Sequence, residues 1–433
     1  MKGADARSNG RLTVWILQTG EPLHLDSGDA RPMRAMNLAN ALVDAGHRAI
    51  VWSSAFSHQD RRQRSLRAER TVISENLEYR LIPSPGYDRN IGVRRLWDHA
   101  VLAVNLRRML REQVELPDAC FIGYPPIETA SVMARWLKKR GIPTLLDVKD
   151  QWPALFLASV PRPYRALGRI ILTPYYLSAR RAMREATAIS AMTESFLDWA
   201  LLFSRRSRTA RDVVVPLTSP RNESREADLI EAREWWAARG VRDDGRARFC
   251  FIGSHTRSFD FSPIAAAART LAENQVPCDL IIAGTGESSA DWQKAAAGLP
   301  NVKFPGWVNP AQARVLAELC SGYLAPYIGS DDFDRSIPNK VIDALSVGLP
   351  IVTSLRGEVA GLIVQFGVGL RYGTDSNQTL YDCLAVLIGD RPLQRRMSRN
   401  ALELYDERFS YEKVYGEVVA HLEGLASIGH RAV

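Results

Sequence analysis

Cysteine is scarce in this chain of 433 residues, and the five present (Cys120, Cys250, Cys278, Cys320 and Cys383) are scattered and odd in number. They form neither a disulfide framework nor a metal-ligand spacing. Cys120 and Cys250 sit in apolar, strand-like runs and Cys278 lies just before one, so reduced, mostly buried thiols in a cytoplasmic protein are expected. No uninterrupted apolar run reaches about 18 residues, so no membrane-spanning helix is expected. The opening MKGADARSNGR is polar and lacks the apolar core of a signal peptide. Neither half pairs a glycine-rich phosphate turn with an acidic residue about 20 positions later, which argues against a nicotinamide dehydrogenase. No recognised nucleic-acid-binding module accompanies the basic pI of 9.3, so nucleic acid is not the expected partner.

What is present is an ordinary globular composition, 46% apolar and 24% charged, over a length that suggests two domains. The net charge of +8 is unevenly spread. Residues 1–225 carry 35 Lys and Arg against 22 Asp and Glu, a net of +13, and the remainder carries −5. A basic half joined to an acidic half suggests that one domain meets an anionic partner: a membrane surface or a phosphorylated substrate.

In chain order, 12–17 reads as a strand, 34–46 as a helix ending at Gly46, and 47–52 as the next strand, with His47 as a strand-entry residue. Gly28, in the loop between the first strand and the helix, lets a ligand approach the backbone closely or is an ordinary turn glycine. Residues 61–70, RRQRSLRAER, read as a solvated charge run, and 93–112 as an amphipathic helix. Strands at 119–122 and 144–148 flank a helix at 128–140. The segment Lys149-Asp150-Gln151-Trp152-Pro153 leaves the second strand at its carboxyl end, where open α/β sheets bind ligands. Asp150 is therefore the first candidate for an active-site carboxylate; the plainer alternative is a helix cap. Residues 154–186 mix aromatic and aliphatic side chains with six arginines, fitting either a surface that lies on a bilayer or a core helix with a basic exposed side. Strands at 188–192 and 213–217 close this half. The polar residues 218–247 are the expected linker and domain entry, and 249–253 begins a second α/β domain.

The most informative stretch is SIPNKVIDALSVGLPIV, residues 336–352. Pro338 opens a helix, Val341, Ala344 and Leu345 give it one apolar face, Gly348 stops it, and 351–353 reads as a buried strand. The helix N-terminus gathers unpaired N–H groups and the positive end of the dipole, a place for phosphate. Lys340 adds a full charge there, and Asp343, about one turn on, can accept hydrogen bonds from a ribose. A surface helix with a stray Lys is the bland alternative.

This stretch resembles the nucleotide-sugar site of the GT-B glycosyltransferases, in particular family 4 and its bacterial surface-polysaccharide members. The resemblance continues through Arg34, Leu38, Ala39, Leu42, Gly46 and His47, through Pro125 and Pro126, and through Asp150, Trp152 and Pro153. It resumes in the ordered glycine turns after 249, 280 and 302. Gly123, Asp147 and Lys149 replace the family's usual Ser, Glu and Arg. Of the two Glu that many members carry eight positions apart, the second is Asp343 here and the first is Arg335, so the sugar contacts of that position do not carry over.

The resemblance implies an α/β GT-B fold, two Rossmann-like domains facing each other across a cleft. Residues 1–217 would form the acceptor domain, 218–247 the linker, 248–405 the nucleotide-sugar domain, and 406–433 a helix returning to the first domain. It implies catalytic roles for Asp150, Lys340 and Arg257, although Arg257 also fits a solvated loop residue. It implies donor contacts from Gly28, Gly253, Ser254, Gly284, Gly306, Trp307, Val308, Ser336, Ile337, Asn339 and Asp343. Transfer would proceed with retention, without metal or cofactor. The partners are a nucleotide sugar, a glycan or lipid-linked acceptor, and an anionic membrane surface at the inner face of the cell membrane. A GT-B epimerase or phosphorylase, or a non-catalytic GT-B partner subunit, are the alternatives.

Overall fold

The computed structural model describes residues 10–26, 32–88, 92–158, 161–218, 220–221, 224–373, 375 and 378–431. The chain divides into two units: Met1–Ser219 with Glu412–Val433, and Pro220–Tyr411.

Among the described residues the first unit is built on ten strands. They are β1 (Thr13–Leu17), β2 (Arg48–Ser54), β3 (Phe56–Ser57), β4 (Arg62–Gln63), β5 (Glu69–Ser74), β6 (Leu77–Ile82), β7 (Ala119–Tyr124), β8 (Thr144–Val148), β9 (Ala188–Ala191) and β10 (Val213–Val214). Strands β3 and β4 form a small hairpin of their own. The other eight make one sheet in the order β10-β9-β8-β7-β1-β2-β6-β5, parallel except for the antiparallel edge pair β5–β6. Its central strands read as nearly unbroken apolar runs because both faces are covered. Trp15, Trp52, Phe121 and Leu146 are fully buried. The final helix, Tyr411–Arg431, is held to this unit by His47, whose Nε2 lies 2.9 Å from Glu423 Oε1.

The second unit carries β11 (Ala247–Ile252), β12 (Cys278–Ala283), β13 (Val302–Gly306), β14 (Gly322–Ala325), β15 (Ile351–Thr353) and β16 (Gly369–Arg371). All six are parallel, in the order β13-β12-β11-β14-β15-β16. In both units the chain starts mid-sheet and builds outward in each direction, the doubly wound Rossmann pattern.

One expectation needs correction, and two elements lie where the sequence predicts none. The charge run at 61–70 is not uniformly solvated. The Arg64 side chain is buried, its Nε donating to Asp26 Oδ1 at 2.6 Å and its Nη1 to the Ser54 carbonyl at 2.9 Å. Strand β6 was hidden by Glu78 and Arg80. Both are buried there because Glu78 accepts from Arg80 and Arg70, while the Arg80 guanidinium lies 5.0 Å from the Trp52 ring centroid. Within the polar segment 218–247, the helix Glu226–Ala237 buries Leu229, Ala232 and Trp236 in the second unit, and Trp236 Nε1 donates to the Gln312 carbonyl at 2.8 Å.

Candidate active site

In a doubly wound sheet, ligands bind outside the carboxyl ends of the strands where the winding reverses. In the second unit that place is between β11 and β14. The Ile252 carbonyl, last in β11, accepts from Lys340 Nζ at 2.6 Å and from the Tyr323 hydroxyl of β14 at 2.9 Å. The Lys340 ammonium also lies 4.6 Å from the Phe251 ring centroid and 5.4 Å from that of Phe259, close enough for cation–π attraction.

Lys340 reaches this point because its helix, Asn339–Ser346, is packed along one face and stopped at its C-terminal end. Val341, Ile342, Ala344 and Leu345 bury its apolar face. Past its end, Gly348 N donates to the Leu345 carbonyl and Leu349 N to that of Ala344, the paired bonds of a Schellman stop. Gly253 makes room for the ammonium: at φ +142° it has a backbone that L side chains rarely adopt, and a Cβ there would lie 1.8 Å from Lys340 Nζ. Gly284, φ +125°, brings the next loop equally close, since its Cβ would lie 2.0 Å from the Gly253 carbonyl oxygen. Gly284 N donates to the Gly306 carbonyl at 2.7 Å, so three of the glycines singled out in the sequence adjoin one another.

The remaining residues of this unit spread outward. Ser336 and Ile337 are buried in the loop before the helix, and Asn339 is half-buried at its first turn. Asp343 lies near enough to Tyr323 and Tyr327 to add to the upward push that burial gives both phenols. Val308 is buried, whereas Trp307 is 69% exposed. Ser254 is exposed. The Arg257 side chain is 88% exposed, its Nε 3.9 Å from a Glu287 carboxylate oxygen. The structure therefore groups Gly253, Gly284, Gly306 and Lys340 and leaves Arg257 at the rim.

In the first unit the end of β8 carries Asp147 and the loop after it Lys149 and Asp150, and these separate by role. Asp147 is fully buried. It accepts from Ser190 Oγ at 2.9 Å and lies 3.2 Å from Arg34 Nε. The Lys149 ammonium bonds Glu21, whose other oxygen accepts from Ala35 N at 2.7 Å in the first turn of the helix Arg34–Asp44. These charges are paired within the scaffold. Burial pushes the Asp150 carboxyl above the usual range, against the pull of Lys149 and Arg95. The loop is pinned by the Tyr124 hydroxyl, which donates to the Trp152 carbonyl at 2.6 Å. Gly28 lies outside the described residues.

Sequence reasoning missed the surroundings of Asp150. Arg95 and His99 stand four apart on the helix Val93–Arg111. The Arg95 guanidinium lies 5.1 Å from the Trp152 ring centroid and 5.5 Å from that of Tyr87. Glu128 accepts from the Tyr175 hydroxyl at 2.7 Å, and burial drives the His99 imidazole down to about 3. The spacing of Arg95 and His99 was visible in the sequence; their partner, more than fifty residues on, was not.

Two families match the chain in order. Residues 33–218 match the family described as glycosyl transferase 4-like domain, and 246–391 the one described as glycosyl transferases group 1. No curated protein sequence matches. Among solved structures, sucrose-phosphate synthase from Thermosynechococcus elongatus is similar at TM-score 0.69 and 13% identity, over 96% of this chain and 100% of that one. WaaG, a glycosyltransferase involved in lipopolysaccharide biosynthesis, is similar at TM-score 0.63 and 15% identity, over 94% and 99%. Anabaena Alr3699/HepE, solved in complex with UDP-glucose, is similar at TM-score 0.61 and 14% identity, over 96% and 100%. The fold and the two ordered domain families together identify the chain as a GT-B glycosyltransferase.

Proposed function

We propose that this glycosyltransferase takes a sugar from a nucleotide-sugar donor, held by the second unit, and places it on an acceptor hydroxyl held by the first. The observation that carries this reading is the Lys340 ammonium at the carboxyl end of β11, beside Gly253. In the transfer, the bond from the anomeric carbon to the diphosphate breaks, a bond to the acceptor oxygen forms, and the nucleoside diphosphate leaves with growing negative charge. That charge calls for preorganised cations and N–H donors. Lys340, Arg257, the Ser254 N–H after Gly253, whose own N–H is held by the Ala283 carbonyl, and the helix N-terminus around Ser336, Ile337 and Asn339 supply them without a metal. Asp343 holds the ribose, and Gly284 and the turn at Gly306, Trp307 and Val308 meet the rest of the nucleotide. Asp150 serves the acceptor side. Its raised carboxyl suits a group that handles the acceptor proton, and its ionised form would steady a cationic sugar ring. The likeness to a protein solved with UDP-glucose supports the donor class.

The finer reading is a family-4 retaining enzyme of bacterial surface-polysaccharide or glycolipid assembly, working on a lipid-linked acceptor at the inner face of the cell membrane. Its support is the +13 charge of residues 1–225 and the exposure of Tyr164, Leu167, Ile170 and Ile171 among arginines. Among the described residues no helix is long and apolar enough to cross a membrane, so attachment would be peripheral.

A panel of nucleotide sugars tests the donor assignment. One member should raise the melting temperature, since a ligand that binds only the folded state stabilises it, and should release its nucleoside diphosphate when acceptor is supplied. A panel without any stabilising member would contradict the reading.

A further inference from the structure

Beyond the residues placed in transfer, the first unit has a pocket of about 500 Å³ lined by Leu177, Arg180, Arg181, Arg184, Glu185 and Arg205. Three of the arginines and Leu177 project from the helix Thr173–Glu185, at spacings that put them on neighbouring turns. Arg205 follows the helix Glu194–Ser204. The lone acid, Glu185, is taken by Arg181, whose Nε donates to it at 2.9 Å. Two guanidinium groups are held by one edge only. Arg180 Nε donates to the Phe203 carbonyl at 3.0 Å, and Arg184 Nε to that of Ser204 at 2.6 Å. Those bonds satisfy the end of a helix. They do not engage the Nη nitrogens of either residue, which make no hydrogen bond among the described residues, and they involve neither Arg181 nor Arg205. A guanidinium so fixed presents a planar pair of donors matched to phosphate oxygens.

Exposed apolar side chains accompany these arginines. Leu177 is 60% exposed, and Leu202, in the turn that supplies the two carbonyls, is 81% exposed. A site for a free, hydrated phosphate has no use for such side chains, whereas a headgroup attached to acyl chains does.

We propose that this pocket binds the phosphate of an anionic membrane lipid and fixes where the first unit sits on the bilayer. The proposal rests on the peripheral-membrane reading above and adds a defined headgroup site to it. The probe is flotation with phosphatidylcholine vesicles, with and without phosphatidylglycerol, at low and high salt. Arg181→Gln with Arg205→Gln removes two pocket charges without touching the bonds to the helix end. Arg180→Gln with Arg184→Gln removes the other two, and melting curves show whether this second pair still folds. Arg107→Gln with Arg108→Gln, exposed on the helix Val93–Arg111, is a control of equal charge loss on the same unit.

Wild type should float with the anionic vesicles only. Either pocket pair should lower partitioning about thirtyfold, the equivalent of about 1 kcal/mol for each cation lost near an anionic surface. The control pair should lower it less than threefold. Equal losses in pocket and control variants would overturn the pocket while leaving the membrane reading intact. Absence of wild-type flotation would overturn both. Stabilisation of wild type by inorganic phosphate, without flotation, would mark a soluble-phosphate site and overturn the lipid assignment.

Discussion

The Lys340 ammonium and the carbonyl of Ile252 lie 2.6 Å apart, joining the second residue of a helix to the last residue of a strand 88 positions earlier. The contact puts a cation at the reversal of strand order in the second unit, with Phe251 and Phe259 beneath it and Gly253 beside it.

Lys340→Ala is expected to lower kcat/KM about 10²–10³-fold, about 2.7–4 kcal/mol, the usual loss for one preorganised donor to transition-state charge. Lys340→Met, which keeps most of the aliphatic stem over the two phenylalanines, should lose as much activity while melting closer to wild type. Kinetics and melting curves on the two variants separate charge from packing.

Gly253→Ala should mimic the loss of Lys340. A Cβ 1.8 Å from the ammonium forces that group, or the strained backbone, to move. The two substitutions should therefore be non-additive: in the Lys340→Ala background, Gly253→Ala should cost little further activity and leave only the backbone strain, about 1–3 kcal/mol of stability. A double-mutant cycle on kcat/KM measures the coupling.

Asp150→Asn should lower transfer strongly while raising stability at neutral pH. Burial raises the carboxyl of Asp150 in the folded state, so its contribution to stability is complete below the ordinary carboxylate value, about 3.9, and is lost as pH rises through the raised value. The permanently neutral Asn escapes that loss. Its melting temperature should exceed that of wild type at neutral pH, and the difference should close below about pH 3.9. Melting curves across this range, with an activity assay, check both halves.

Much of the architecture was legible. The apolar runs of β1, β7, β8 and β11 mark strands buried on both faces, and the helix–glycine–strand order of 339–353 was readable before any contact was known. Strand β6 was not, because Glu78 and Arg80 mimic a surface sequence until Arg70, Arg48 and Trp52 are brought beside them. In the same way, Lys340 and Gly253 stood out separately, but nothing in a single sequence says that one side chain fills the space the other lacks. The basin of Arg95, His99 and Glu128 beside Trp152 depends on three segments meeting, and residue spacing alone does not reveal it.

Arg64 provides a stability test of the same lesson. Its side chain and that of Asp26 are 5% and 3% exposed. Removing one partner of such a buried pair typically costs about 3–5 kcal/mol, because the other charge stays buried alone. Arg64→Ala should lose that much in denaturant unfolding, whereas the exposed Arg67→Ala should stay within about 0.5 kcal/mol of wild type.

Calorimetric titration with the nucleoside diphosphate of the stabilising donor bears most directly on the division of work between the two units. Wild type and Asp150→Asn should bind it with equal affinity, and Lys340→Ala at least about tenfold more weakly, a loss of about 1.4 kcal/mol. Undiminished binding by Lys340→Ala, or binding lost in a folded Asp150→Asn, would contradict the placement of the donor site at the end of β11.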